Sequence, residues 1–323
     1  MKYGLLAVML SGAIVANAHA SCGSSFCVVN THWDTQGLAN DSGLRVDLRY
    51  TYAKADAPRI GSSRVTNDPA LAGAGEEVEN LRTINRTVDL SLDYPVAPQW
   101  NIAVDLPWVM RDHAHTIAGT PDTVEQGSFS EFGDARILGS YRFDTELHGA
   151  GSGIRFGLKL PTGRSTWEFQ PGTPGERSLQ PGSGSTDAII GAYRHGEMSA
   201  SPWGWFASAQ IQTALTTRDD YRPGNTYTFD AGTHYPASPE LTLLLQMNAQ
   251  IRTRDSGVNA NPHSGGKTLS LSPGASYAVA DRTRVYGFLQ LPVYQYSNPD
   301  PAGGPFGQLT APWSFSIGVS HSY

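Results

Sequence analysis

The sequence predicts an all-β fold, a transmembrane antiparallel β-barrel of about 12 strands with short periplasmic turns and long extracellular loops. The first observation is the chain end, residues 314–323, where apolar or aromatic side chains alternate with serine or glycine up to Tyr323. Such a strand has one face for lipid and one for a polar lumen. An edge strand of a β-sandwich is the alternative for this segment alone. The other observations are an export signal and the alternation of short and long connections.

Composition excludes two other classes of protein. Hydrophobic residues make up 39% of the chain, the mean hydropathy is -0.31, and no run after residue 20 approaches the roughly 18 apolar residues of a membrane helix. The net charge of -6 and the pI near 5.8 leave no basic surface for nucleic acid. A helical membrane protein and a nucleic-acid partner are therefore not expected.

The chain start has the features of a secretory signal peptide. Lys2 is followed by the apolar residues 5–10 and by a small-x-small site, Ala18 to Ala20. We therefore expect a signal peptide at residues 1–20, a periplasmic N-terminal segment at 21–42 and the barrel at 43–323. The expected location is the outer membrane of a Gram-negative cell. Its expected partners there are the lipid bilayer, lipopolysaccharide and the barrel assembly machinery, which reads a terminal aromatic residue such as Tyr323.

Alternation of apolar and polar residues predicts the individual strands, each about 9–14 residues long, which fits a tilted span of the bilayer. The sixth contains a run, residues 188–192, that does not alternate. The predicted strands lie at 43–54, 84–95, 99–111, 132–144, 152–161, 186–196, 203–216, 225–236, 240–253, 267–279, 283–296 and 312–323.

Connection lengths alternate along this series, as they do in outer-membrane barrels. The connections near 96–98, 145–151, 197–202, 237–239 and 280–282 are short, and those at 55–83, 112–131, 162–185, 217–224, 254–266 and 297–311 are long. Aromatic residues crowd at the strand ends assigned to the periplasmic side, where an interfacial girdle is expected. They are Tyr94, Trp100, Tyr141, Phe143, Trp203, Trp205, Tyr235, Tyr277 and Tyr323.

Four short motifs resemble a known family. They are FGDAR at 132–136, GLKLPTG at 157–163, GSGSTD at 182–187 and PVYQY at 292–296. From residue 43 onward the chain is similar to the outer-membrane β-barrel transporter family associated with the meta pathway of phenol degradation. The resemblance implies a barrel with a transport role and no agreed substrate.

The face opposite the lipid-facing residues should carry the function. Two interpretations of its mixed charges stay open: pairs that brace a narrow barrel, and a polar path for solute. The predicted lumen-lining residues are Arg45, Asp47, Arg49, Asp89, Asp93, Asp105, Asp134, Arg136, Arg142, Arg155, Lys159 and Arg252. On the eleventh strand Tyr286, Phe288, Tyr294 and Tyr296 are predicted to share the inner face, which permits a hydrophobic substrate.

The N-terminal segment contains the only two cysteines, Cys22 and Cys27. In an exported chain a disulfide between them is expected. Reduced Cys22 and Cys27 with His32 form a less favoured hypothesis, a soft-metal site for Cu(I) or Zn that lacks a fourth ligand. A third possibility is a plug in the periplasmic mouth, anchored by Phe26 and Trp33.

Catalysis is not expected. His321 beside Ser322, and His113 near His115 in a predicted extracellular loop, are the only hints of a hydrolase or metal site. We expect no enzyme, no catalytic residue and no cofactor. The sequence thus predicts a passive channel for small-molecule solutes, with hydrophobic or aromatic compounds permitted. The alternative is a non-transporting barrel whose cysteine segment docks a periplasmic redox or metal-handling partner.

Overall fold

The computed structural model describes residues 29–38, 43–66, 77–117, 120–143, 150–301, 303 and 307–323. The predicted signal peptide, Cys22, Cys27 and Phe26 lie outside these residues. The barrel wall is built from β1 (Arg45–Ala55), β2 (Glu77–Ala97), β3 (Trp100–Ile117), β4a (Thr120–Phe132) with β4b (Arg136–Arg142), β5 (Gly151–Lys159), β6 (Asp187–Glu197), β7 (Gly204–Ala214), β8 (Thr226–Pro236), β9 (Leu241–Arg252), β10 (Gly266–Ala280), β11 (Thr283–Ser297) and β12 (Ser314–Ser322).

The wall closes on itself, and the predicted fold class is confirmed. Counting β4a and β4b as one interrupted strand, twelve antiparallel strands pair in chain order. The first strand pairs with both β2 and β12, so that Arg45 lies opposite Asp93 on one side and Ser322 on the other. Closure pairs both edges of the strands in the body of the wall, as a sheet in lipid requires, whereas the upper segment β4a pairs with β3 alone among the described strands.

Side chains alternate across the wall as the sequence predicts. On β9 the outward Leu243, Leu245 and Met247 are 42–49% exposed, whereas Gln246 and Asn248 between them are 0% exposed. The outer face is therefore apolar and the inner face polar. Outward aromatic pairs occur near one end, with ring centroids 4.8 Å apart for Trp100 and Tyr141. Among the described residues, no helix is both long enough and apolar enough to cross a membrane.

The two ends of the barrel differ in their connections. We call the end where β1 begins and β12 ends the lower end. Its connections are short, such as residues 98–99 between β2 and β3 and residues 281–282 between β10 and β11. At the upper end most connections are long and several carry structure of their own, but β3 and β4a are separated by only two residues. Apart from that connection, the predicted sorting of loop lengths matches this arrangement.

Two predicted upper loops are wrong in part, because strand pairing continues beyond the apolar stretch. Residues 112–131 were predicted as a loop, but β3 extends to Ile117 and pairs with β4a, for example His113 with Gly127. Likewise β2 begins at Glu77, inside the predicted loop 55–83. Both faces of these extensions are polar, so hydropathy does not alternate there although the hydrogen-bonded ladder persists.

One predicted inner face is also wrong. The pairing of β10 with β11 shifts between Leu269 and Ser270, whose partners are Tyr294 and Pro292. The extra residue of this bulge is Val293, and it reverses the faces above it. Tyr294 is 46% exposed beside the lipid-facing Leu269, and Tyr296 lies under the exposed Lys267 at 5.7 Å. Tyr294 and Tyr296 therefore face outward, contrary to the prediction from simple alternation.

The upper loops fold over the barrel mouth. Residues 57–60 and 63–64 form a small sheet with Gln308–Thr310. The connection between β5 and β6 contains a strand pair, Glu168–Gln170 with Thr173–Pro174, and a short 3₁₀ helix, Arg177–Leu179. Leu179 is 2% exposed, so this connection is anchored and is not a free loop.

Candidate channel lumen

A cavity of about 500 Å³ lies inside the barrel. Ten of the twelve predicted lumen-lining residues border it: Arg45, Asp47, Arg49, Asp89, Asp93, Asp105, Arg136, Arg155, Lys159 and Arg252. The other two lie at the ends of the same ladder. Asp134 contacts Lys159 at 3.2 Å, and Arg142 donates to the carbonyl oxygen of Pro98 at the lower end. Any part that these residues play in solute passage stays a prediction.

Most of the charged residues on β1 to β3 are engaged by a neighbour. Arg49 forms an ion pair with Asp89 at 3.0 Å. The Asp105 carboxylate accepts a hydrogen bond from Ser91 at 2.6 Å, and Asp93 accepts one from Asn101 at 2.9 Å. Pairing of this kind removes much of the cost of placing charges away from bulk water.

Three of the four family-resemblance motifs converge on one lysine. Lys159 is buried and lies 3.2 Å from Asp134 and 3.0 Å from Asp187. Asp134 in turn accepts hydrogen bonds from the backbone NH groups of Gly163 and Ser183, at 3.1 and 2.9 Å. The spacing of these motifs thus serves a structural purpose, because it anchors the long β5–β6 connection to the inner wall.

Arg111 also faces the lumen, although it is not one of the twelve predicted lumen-lining residues. It borders the cavity, and it donates to Asn85 at 2.7 Å and to the carbonyl oxygen of Leu179 at 2.8 Å. It therefore holds the 3₁₀ helix of the β5–β6 connection in the upper mouth. Continued alternation from Asp105 would have indicated its inward direction, since both residues have odd numbers on β3.

The described part of the N-terminal segment, residues 29–38, lies inside the lumen and borders the cavity. Asn30 donates to Ser208 at 3.3 Å, and its carbonyl oxygen accepts from Gln246 at 2.9 Å. Arg49 donates to the hydroxyl of Thr31. These contacts reach β1, β7 and β9, so the segment touches several sides of the wall at once.

Trp33 is the apolar anchor of this inserted segment. Its ring lies 4.9 Å from that of Tyr286 and 6.5 Å from that of Phe288, and Val29 and Leu244 complete the cluster. Its indole NH and the hydroxyl of Tyr286 donate to the same carboxylate, Asp47, at 3.4 and 2.7 Å. Tyr286 and Phe288 face inward as predicted, but they are covered by Trp33.

Asp34 is the electrostatic anchor. Arg155 donates from one amino group to both of its carboxylate oxygens, at 3.0 and 3.2 Å. Burial raises the pKa of Asp34, but Arg155, His32 and Arg45 outweigh that effect and hold the pKa below its ordinary value. Asp34 is therefore ionised while it is inserted.

His32, one member of the hypothetical metal site, lies in the same inserted segment. Burial, followed by the nearby charge of Arg155, lowers its pKa to about 4. The side chain is therefore neutral near pH 7. Cys22 and Cys27 lie outside the described residues, so the predicted disulfide and the alternative metal site stay predictions.

The wall formed by β7 to β9 is different in character. Gln210, Thr226, Thr228 and Gln250 border the cavity. Their side chains make no hydrogen bond to another of the residues that the structure describes. This part of the wall presents amide and hydroxyl groups to the lumen, and Arg252 and Asp230 are its charged members.

The other histidines that hinted at a hydrolase or metal site lie at two separate places in the wall. His113 and His115 are buried on β3 beside Phe169, with His113 at 2.9 Å from the Thr83 hydroxyl. They were predicted to lie in an extracellular loop, which is corrected by the extension of β3. His321 lies 2.8 Å from the hydroxyl of Thr283 and packs on Tyr323.

Comparison with known proteins identifies the class of fold. The structure is similar to the COG4313 outer membrane channel from Pseudomonas putida F1, with a TM-score of 0.68, 10% identity, and coverage of 92% of this chain and all of that chain. It also resembles the transport unit of the autotransporter AIDA-I from Escherichia coli, with a TM-score of 0.50, 10% identity and coverage of 92% and 93%. No protein-family model and no curated protein sequence matches the chain. These likenesses define the fold as a barrel of the outer-membrane type.

Proposed function

We propose that the protein is an outer-membrane channel for the passive diffusion of small molecules, closed in this structure by its own N-terminal segment. The observation that carries the proposal is the cavity of about 500 Å³ inside the barrel, which residues 29–33 and 35 of the inserted segment border. A barrel that served only as a scaffold would not require an internal cavity bordered by charged and amide side chains. The similarity to the Pseudomonas putida channel adds support at the level of the fold.

The proposal includes the location and the partners that follow from it. The apolar outer face suits a bilayer, and Tyr323 lies at the end of the closing strand, where the assembly machinery would read it. Lipopolysaccharide would contact the upper part of the outer face. The association with the meta pathway of phenol degradation rests on the sequence motifs. A binding or transport role, with no catalysis, is proposed for the lumen.

The positions of four aromatic residues affect which class of solute the lumen can bind. Trp33 covers Tyr286 and Phe288, and Tyr294 and Tyr296 face outward. None of these four aromatic residues borders the cavity, although Trp33 does. Charged and amide side chains make up much of the lining of that cavity. We therefore favour polar solutes over the hydrophobic compounds that the sequence permits.

The direct test is single-channel conductance in a planar bilayer, comparing the mature chain with a chain that begins at Gly43. Conductance only in the shorter chain is the expected result. Steady conductance of the same size in both would refute closure by residues 29–38. Silence in both would refute the channel and favour the alternative, a barrel whose cysteine segment docks a redox or metal-handling partner. Heat-modifiable gel migration shows beforehand that each chain is folded.

A further inference from the structure

Of the cations that border the cavity, Arg45 and Arg136 have no side-chain ion pair or hydrogen bond to a described residue, and only Arg136 is exposed, since Arg45 is buried. By contrast, Arg49, Arg155 and Lys159 each hold at least one carboxylate within 3.2 Å. Arg136 is thus a cation whose planar group of donors is available to a molecule in the lumen.

The neighbours of Arg136 are occupied by other partners. Across the strand ladder it lies between Asp105 and Lys159. Asp105 accepts a short hydrogen bond from Ser91, and Lys159 is bound by Asp134 and Asp187. The local arrangement therefore leaves the Arg136 guanidinium without a hydrogen-bonded carboxylate, although Asp105 is close enough to attract it.

The lumen already accepts a carboxylate that is not part of the wall. Asp34 comes from the inserted segment, yet both of its oxygens lie within 3.2 Å of Arg155. A carboxylate that enters the lumen can therefore be held by an inward arginine with ordinary hydrogen-bond geometry. Arg136 offers the same chemistry on the same face nearer the upper end, since it lies opposite Lys159, and Arg155 lies opposite Ser140.

The other half of the site is a group of four uncharged side chains on β7 to β9. Gln210, Thr226, Thr228 and Gln250 border the same cavity, and their amide and hydroxyl groups have no hydrogen-bond partner among the described residues. Groups of this kind both donate and accept hydrogen bonds, so they suit the hydroxyl groups of a solute. They lie three to five strands away from Arg136 around the barrel, on another side of the cavity.

From these observations we infer that the cavity binds a small hydroxylated carboxylate, with the carboxylate on Arg136 and the hydroxyl groups on Gln210, Thr226, Thr228 and Gln250. This inference rests on the channel proposed above and names the class of solute for it. Neutral polyols lack the carboxylate that Arg136 binds. Simple carboxylates lack the hydroxyl groups that the four uncharged side chains of β7 to β9 bind. Both should therefore bind less tightly.

The test is calorimetric titration of the full mature chain in detergent with gluconate, and with sorbitol and acetate as partial probes. Saturable binding of gluconate is expected, with an affinity at least about tenfold above that of sorbitol, a ratio that corresponds to about 1.4 kcal/mol. Equal binding of gluconate and sorbitol, or no gluconate binding, overturns the inference.

Two variants assign the contacts, with a matched control. Arg136→Gln should weaken gluconate binding about tenfold, as expected for loss of a hydrogen bond to a charged group. Gln250→Leu should weaken the binding of gluconate but leave that of acetate unchanged. Arg194→Gln, which removes an exposed arginine of β6 that does not border the cavity, should have no effect. An unchanged gluconate affinity in Arg136→Gln overturns the assignment, provided that its heat-modifiable migration is normal.

The two proposals fail in different ways. Conductance by the chain that begins at Gly43, together with no gluconate binding, refutes the solute site and leaves the channel. Gluconate binding together with silence of every chain in the bilayer refutes the channel and leaves a binding cavity.

Discussion

Arg155 on β5 holds both carboxylate oxygens of Asp34, a residue that precedes the barrel in the chain and lies inside it, at 3.0 and 3.2 Å. The pair joins an inserted segment to the wall by charge, as Trp33 joins it by packing against Tyr286. The side chains of Arg155 and Asp34 are only 8% and 17% exposed. Loss of either partner leaves a largely buried charge without compensation, which makes this contact the natural point at which to loosen the segment.

Asp34→Asn is the variant that tests this contact. Removing one partner of a buried pair costs about 3–5 kcal/mol. The part of this cost that destabilises the inserted state shifts the equilibrium towards the open state. We expect the full mature chain to show an open fraction at least about tenfold higher, the change produced by about 1.4 kcal/mol. The measurement is single-channel recording. Asp56→Asn, which affects a more exposed pair with Lys54, serves as the control and should leave the open fraction unchanged.

Trp33→Ala tests the apolar anchor. The substitution removes the ring that packs on Tyr286 and Phe288, and a change of this size in a packed cluster costs about 3–5 kcal/mol. We expect faster hydrogen exchange and faster proteolysis of residues 29–38 in the detergent-solubilised chain, with normal exchange in β7 to β9. The comparison is Trp203→Ala, where the lost ring is exposed and contacts Tyr235. Equal protection of the segment in both variants would contradict a role for Trp33 as its anchor.

The closure should depend on pH through His32. Its pKa is about 4 when inserted and about 6.5 when free, so the inserted state disfavours the protonated ring. The contribution of His32 to closure is therefore fully present above pH 6.5 and is lost as the pH falls from 6.5 towards 4. Asp34 stays ionised over this range, because its pKa is lowered.

We accordingly expect the open fraction of the mature chain to rise between pH 6.5 and pH 4.5. His32→Gln keeps a polar side chain of similar length but removes the titrating ring, so the rise due to this residue should disappear. Recordings at pH 6.5, 5.5 and 4.5 on both chains make the comparison. An identical pH profile in the variant would show that other groups are responsible.

Lys159→Met tests the point where the family-resemblance motifs meet. The variant keeps the length of the side chain but leaves the carboxylates of Asp134 and Asp187 without their shared cation. We expect a loss of about 3–5 kcal/mol in the free energy of unfolding, measured by urea titration of the reconstituted protein. Lys267→Met removes an exposed lysine that lies over the Tyr296 ring and forms no ion pair with a described residue, and it should cost about 0.5–1 kcal/mol.

Alternation of side chains was enough to predict the wall and most of its inner face. In a strand with one face in lipid, successive side chains must point alternately to the lipid and to the lumen. Arg45, Asp47 and Arg49 could therefore be assigned to the lumen from Leu44 and Leu48 alone. Side chains alternate between the two faces on β6 as well, where Ile189 is 1% exposed and Ile190 is 61% exposed. The sequence does not show this alternation, because both residues are apolar. Small side chains around them explain why hydropathy alone gave a weak signal.

Features that the alternation of apolar and polar side chains does not show could not be predicted in this way. The bulge at Val293 shifts the faces of Tyr294 and Tyr296 without any change in composition. The extension of β3 to His115 has two polar faces and therefore no lipid signal. The position of Asp34 depends on an arginine that follows it by 121 positions in the chain, and no local pattern encodes such a contact.

The last prediction concerns the closing strand, which carries the most informative sequence signal. Tyr323 donates its backbone NH to the carbonyl oxygen of Leu44 at 2.9 Å, but its ring is 64% exposed and contacts His321. Tyr323→Ala therefore keeps the backbone bond that completes the seam between β1 and β12 and removes only the exposed ring. If the ring is read during assembly, the variant should reach the outer membrane in a folded form several times less often, yet refold in detergent with normal stability. Tyr277→Ala, another exposed aromatic residue on the outer face, should not reduce the folded level to the same degree. A normal folded level of Tyr323→Ala in cells would show that assembly does not depend on the terminal aromatic side chain.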